Sequence, residues 1–238
     1  MVWVRASHAD LLLRCAANCV ADVAGNFCPL RIQATPYANN IIANSPMITL
    51  IAGLVLFLGI HSTRVFADDW RSARIAQLGA GKWKGVYTLL SLLGFVLIVY
   101  GYGQARQTPI DLWFPPLWTK HVTALLMLPV FIMLAAASPK PSQIKARLKH
   151  PMTLAVKLWA VAHLISNGRL NDVLLFGGFL AWAVLVFLAA RKRDRKLGTS
   201  YAAVGVKRDV IAVASGLVAY GVFALWLHRW LIGVSPFG

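Results

Sequence analysis

The chain has 238 residues, 58% of them hydrophobic, with a mean hydropathy of +0.64 and a formal net charge of +16. That is too apolar for an ordinary soluble domain and indicates an all-α, polytopic integral membrane bundle. On a soluble protein the charge would suggest nucleic acid. Here the 24 Lys and Arg residues cluster between apolar segments, so contact with anionic lipid and topology signalling account for them and nucleic acid is set aside.

Residues 1–46 differ from everything after them. Asp10, Arg14, Asp22 and Arg31 interrupt short apolar stretches, followed by Pro29, Pro36, the Asn39-Asn40 pair and Pro46. Asp10 and Arg14 break the one candidate signal-peptide core. Met47 then opens directly into Ile48-Thr49-Leu50-Ile51. The simplest expectation is a poorly structured N-terminal extension with a misassigned start, translation beginning at Met47. The rival is a short extramembrane tail with a frayed helix near Leu11 to Val20. All three cysteines, Cys15, Cys19 and Cys28, fall in this stretch. Their Cys-x3-Cys-x8-Cys spacing, with only His8 nearby, reads as stray thiols rather than a metal site.

The expected membrane domain, 47–238, has about six spans: Ile48–Ala67, Val86–Gly103, Trp118–Ala137, Met152–Ser166, Asn171–Ala190 and Val210–Ile232. Lys157 lies near the start of the fourth and can snorkel to the interface. Pro151 suits its first helical position, where a missing N–H costs nothing. Three loops are basic, holding Arg64 to Lys84, Lys140 to Lys149 and Arg191 to Arg208. The alternate loops have only Arg106, Lys120, Arg169 and Arg229. The positive-inside rule puts the basic loops in the cytoplasm and both ends of the membrane domain on the outer side. Trp113, Phe114, Trp118, Trp226 and Trp230 then mark the outer interface, and Trp70 and Trp83 the inner one.

Two histidines lie inside apolar spans: His61 in the first and His163 in the fourth. A titratable group at bilayer depth is costly and marks a functional site by default. The spans run in opposite directions, and counting ~1.5 Å per residue puts both histidines within several ångströms of one depth. Two neutral imidazoles at that spacing suit the axial ligation of one b-type haem iron. Gly53, Gly59, Gly94 and Gly177-Gly178 leave room for a flat macrocycle, and Trp159 and Asn167 share a helix face with His163. The alternative is ordinary helix packing, with each histidine bonded across an interface. No Cys-x-x-Cys-His is present, which excludes covalent haem attachment. His121, His150 and His228 lie at span ends and read as interfacial. No soluble-enzyme motif occurs, and the paired intramembrane carboxylates of a proton-driven pump are missing.

Four stretches resemble the NnrU family of bacterial membrane proteins. They are Leu58-Gly59-Ile60-His61-Ser62, Lys84-Gly85-Val86-Tyr87-Thr88-Leu89-Leu90-Ser91, Leu112-Trp113-Phe114-Pro115-Pro116-Leu117-Trp118, and a longer run. The last joins His150-Pro151-Met152 to Val156-Lys157-Leu158-Trp159-Ala160-Val161-Ala162-His163-Leu164 and Asn167-Gly168. The resemblance covers Met47 to Gly238. It implies a part in denitrification, in the expression or activity of nitrite and nitric oxide reductases. It extends distantly to the plant 15-cis-ζ-carotene isomerase, a membrane b-haem enzyme whose two haem histidines map onto His61 and His163. A cysteine involved in that enzyme's ligand exchange is replaced here by Ala160. The preferred expectation is therefore an NnrU-like protein holding one haem b through His61 and His163. The alternatives are a haem-dependent cis-trans isomerase of a carotenoid or other polyene, and a small transporter. The transporter is disfavoured because no span shows a buried acidic residue.

Overall fold

Each of the six apolar stretches becomes helix, but the breaks between them follow local side-chain chemistry. The computed structural model describes residues 46–138 and 140–237. The expectations for the early cysteines, for His8 and for the start of translation lie outside the described residues. The helices are α1 Pro46–His61, α2 Thr63–Phe66, α3 Asp68–Leu78, α4 Ala80–Ala105, α5 Trp118–Ala136, α6 Gln143–Leu148, α7 Pro151–Ser166, α8 Leu170–Leu197 and α9 Lys207–Val222. A π-helical turn, Phe223–Leu227, then leads into α10 His228–Ile232. Among the described residues there is no strand, only an isolated antiparallel bridge between Asp111 and Arg169.

Four helical runs are long and apolar enough to cross a membrane: Ala80–Ala105, Trp118–Ala136, Leu170–Leu197 and Lys207–Ile232. The expected count of six is not reached on length. The apolar helices α1 and α7 have 16 residues each, about 24 Å at ~1.5 Å per residue, against a hydrocarbon core of roughly 30 Å. Both stop for identifiable reasons. At the end of α1 the Ser62 hydroxyl donates to the Leu58 carbonyl (2.7 Å) and the Thr63 hydroxyl to that of Ile60 (2.9 Å). Such back-bonding competes with the helical ladder, and the chain turns at Ser62 before α2. Helix α7 begins at Pro151 and ends where Asn167 becomes extended.

Neighbouring helices follow the spatial order α4, α1, α8, α7, α5, α9. The interior is built from small residues, ten of the sixteen buried apolar residues among those described being alanine. Large side chains such as Val55, Leu89, Leu125, Val218 and Leu225 point outward and are exposed. This is the packing expected where lipid is as apolar as leucine and close backbone approach is what holds helices together.

The tightest contact joins α1 to α4. Gly53 packs on the backbone of Leu97 and Ile98, Gly94 on Phe57, and Gly101 on Leu50; a Cβ at these glycines would stand 2.5 to 2.8 Å from backbone nitrogens. The expectation that Gly53 and Gly94 make room for a macrocycle is therefore corrected, because helix contact consumes that space. Gly59 and Gly177 do have open space beside them, and Gly178 meets only methyl groups of Leu54 and Leu58.

The ends of the bundle differ in charge. At one end the α4–α5 connection is tied to the α7–α8 turn. The Leu112 and Trp113 amides donate to the Gly168 carbonyl (2.8 and 3.1 Å), and the Leu170 amide donates to Ile110 (2.9 Å). Arg106 donates to the Ile232 carbonyl at the same end (2.6 Å). The three basic connections meet at the other end. There the Gln143 and Ile144 amides donate to the Asp209 carboxylate, and α2 shares a cavity with the last turns of α8.

Candidate functional site

His61 ends α1. Its Nδ1–H donates to the Phe57 carbonyl four residues earlier (2.7 Å). The ring lies 4.3 Å from Phe57, 5.3 Å from Tyr87 and 6.3 Å from Trp182, centroid to centroid. His163 repeats the arrangement on α7. Its Nδ1–H donates to the Trp159 carbonyl, also four residues earlier (2.9 Å), and the ring stacks on Phe176 at 4.7 Å. The Asn167 amide donates to the His163 carbonyl (2.9 Å), so the shared face read from the sequence is a bonded one. In both histidines the carbonyl acceptor fixes the proton on Nδ1. Each Nε2, the lone-pair nitrogen when the ring is neutral, has no hydrogen-bond partner among the described residues.

The two rings are joined by a ladder on α8. Phe179 contacts Phe57 at 5.9 Å, Trp159 at 5.5 Å and Trp182 at 6.4 Å, and Phe176 contacts Trp159 at 5.0 Å. Phe176, Phe179 and Trp182 thus line one face of α8, with His163 at one end of the row and His61 at the other. Those end positions are six residues apart, about 9 Å of helix rise at ~1.5 Å per residue. Two buried donors have no partner, the indole nitrogen of Trp182, whose ring lies 6.3 Å from that of His61, and the Ser91 hydroxyl, one turn from Tyr87 on α4. The pairing of Phe57 with Gly94 places Ser91 and Tyr87 around His61 on α4.

The donor set bears on what this site can hold. Among the described residues no three His, Cys, Asp or Glu side chains converge on a point. A bare ion taking three or four protein ligands is therefore not served there. Two imidazoles with their Nδ1–H groups pinned have the donor chemistry that a haem iron would use, the hydrogen-bonded second nitrogen fixing ring orientation and basicity. Ala160 is fully buried on α7 and brings no sulfur to the site, so ligand exchange through cysteine has no donor at that position.

A family model described as NnrU protein matches residues 49–236. The chain belongs to the NnrU family. No curated protein and no solved structure matches it. The matched region contains both histidines, the whole ring ladder and the Trp113–Gly168 junction. That junction unites two of the NnrU-like stretches, with Gly168 so close to the Trp113 carbonyl that no side chain would fit between them.

Sequence reasoning missed two polar clusters of this NnrU protein. Asp172, in the first turn of the long helix α8, is only 4% exposed, which corrects the expectation that no span has a buried acidic residue. The Tyr102 hydroxyl donates to its Oδ1 (2.7 Å), the Asn171 amide to the same atom (3.1 Å) and the Arg169 backbone amide to Oδ2 (3.3 Å). The only local signal was an aspartate three residues after Arg169, at a helix start where a carboxylate is favoured. Tyr102→Phe should lower thermal stability by about 1–3 kcal/mol, the usual cost of depriving a buried acceptor of a donor. A melting curve of purified protein that does not move would show that water replaces the phenol.

His150 reads as interfacial in the sequence, and in the structure it anchors the basic end. Its Nε2–H donates to Asp194 Oδ2 (2.8 Å), and Tyr201 donates to the same carboxylate from the α8–α9 connection (3.1 Å). Burial, reinforced by the Asp194 carboxylate, pushes the Tyr201 phenol up, so it remains the donor at neutral pH. His121 is exposed on α5, and His228 donates to the Val234 carbonyl (2.8 Å).

Proposed function

We propose that this NnrU-family protein holds one b-type haem in the membrane, with His61 and His163 as the residues that would hold its iron, and supports nitrogen-oxide respiration. The observation that carries the proposal is the matched state of the two imidazoles. Each gives its Nδ1–H to the carbonyl four residues back and keeps Nε2 free. A histidine that serves only packing in a membrane would hydrogen-bond across a helix interface, whereas both of these bond within their own helices. A bound haem would supply one-electron chemistry. The chain's own residues would orient the imidazoles, keep water out with the Phe176–Phe179–Trp182 row, and offer Trp182 Nε1 as an unpaired donor near His61. The link to nitrite and nitric oxide reductases rests on family membership.

The test is an absorption spectrum of the detergent-purified protein, oxidised and reduced, after expression with ample haem. Sharp reduced-state bands of six-coordinate low-spin haem are expected. Protein that purifies intact and colourless returns both histidines to helix packing. For the physiological role, deletion of the gene should cause nitrite or nitric oxide to accumulate during anaerobic growth on nitrate. Unchanged rates of both reductions would remove the respiratory assignment.

The proposal includes an orientation. Reporters fused within Arg191–Lys196 should read cytoplasmic and those after Gly238 periplasmic, because the basic connections gather at one end of the bundle. A cytoplasmic C-terminus would mean an odd number of crossings, one of the two short helices then failing to traverse.

A further inference from the structure

A cleft of about 200 Å³ opens at the basic end, between α2 and the last turns of α8. Arg64 forms one wall. Lys192, Arg193 and Lys196 form the other, on a single face of α8 that starts at Ala189. The one carboxylate in the cleft, Asp68, pairs with Arg71 outside it at 3.6 Å. None of the four cations has a carboxylate within ion-pair distance among the described residues. Lys192 and Lys196 are one turn apart, a like-charge arrangement that weakens a helix unless an anion relieves it. The floor is apolar, formed by Val65 and Ala189. Phe66 and Trp70, close in sequence to the lining residues Val65 and Asp68, are exposed, side chains that suit a membrane interface.

We propose that this cleft binds the headgroup phosphate of an acidic phospholipid, with the glycerol over Val65 and Ala189 and the acyl chains leaving past Phe66. Lysine and arginine beside an anionic headgroup contribute individually, and basic pockets between transmembrane helices are the usual seats of such lipids. Their place around one concavity sets these four residues apart from the other cations of that end. Lys145, for comparison, donates to the Ser138 carbonyl, and Arg208 to that of Pro141.

The experiment uses the full chain in detergent, with lipid occupancy read by native mass spectrometry against added phosphatidylglycerol, phosphatidylcholine or glycerol 3-phosphate. Phosphatidylglycerol should be retained and phosphatidylcholine not. In R64Q/K192Q/K196Q the affinity should fall on the order of fivefold per removed cation. A second triple variant, K82Q/K84Q/K140Q, removes equal charge from the same end outside the cleft and should bind normally. Equal loss in the two variants would reduce the effect to general surface charge and overturn the cleft. Competition by glycerol 3-phosphate at concentrations similar to the lipid would overturn the lipid as source and leave a site for free phosphate. Circular dichroism of both variants checks that lost binding is not lost fold.

Discussion

His61→Ala and His163→Ala should each abolish the low-spin haem spectrum, leaving a five-coordinate high-spin species or colourless protein. Removing a group that merely supports a metal ligand costs roughly 10–100-fold in affinity, and loss of an axial ligand should exceed that. The expectation rests on Nε2, the one nitrogen of each ring that no carbonyl claims. His121→Ala and His150→Ala are the controls. The first lies exposed on α5, and the second is committed to Asp194 at 2.8 Å. Both should keep the low-spin bands, although His150→Ala should lower stability by loosening the joint between α7 and α8. Normal spectra in both ligand variants would sink the assignment. A change in only one would leave a haem with a single protein ligand from this pair.

The second large effect is mechanical. Gly101→Val should prevent stable folding, because its Cβ would stand 2.5 Å from the Leu50 amide nitrogen and 2.8 Å from its Cα. Leu50 is completely buried, so neither backbone can retreat without parting α1 from α4. Overpacking usually costs about 1–3 kcal/mol where side chains can adjust; here the obstruction is main chain, and the cost should reach the top of that range or beyond. Gly85→Val on the same helix meets open space and should be tolerated. The comparison is the monodisperse fraction after detergent extraction, with thermal stability of whatever survives. Similar yields for the two variants would show that α1 and α4 can slide apart.

Much of this architecture was legible because hydrophobicity is a one-dimensional signal. All six apolar stretches are helical, and Trp118, Pro151 and Ser166 end or begin helices within a residue of where the sequence placed them. Span length was less legible. The end of α1 is set by hydroxyls of Ser62 and Thr63 turning back on their own helix, which hydropathy does not register. The histidines stood out because a titratable group inside an apolar run is conspicuous. Their surroundings did not, since Phe176, Phe179 and Trp182 read as ordinary apolar residues until the contacts of α8 place them in a row between two other helices. The glycines were misjudged for a related reason: the sequence shows that a residue is small, but not whether a backbone or a ligand occupies the space. Asp172 escaped because an aspartate in a first helical turn normally faces water, and its burial depends on Tyr102, 70 positions away.

The order in which the chain is made bears on the histidine site. Helices α1 and α7, neither of them among the four long runs, carry His61 and His163, and they are not packing neighbours; α8 lies between them. A nascent chain that has emerged only as far as Ser166 contains both imidazoles but nothing that relates one to the other. The row of rings linking them arrives with Phe176, Phe179 and Trp182, which follow α1, α4, α5 and α7 in the chain. The proposed site should therefore be completed late in biogenesis, with α8, and a ribosome-bound intermediate ending before Leu170 should be unable to assemble it.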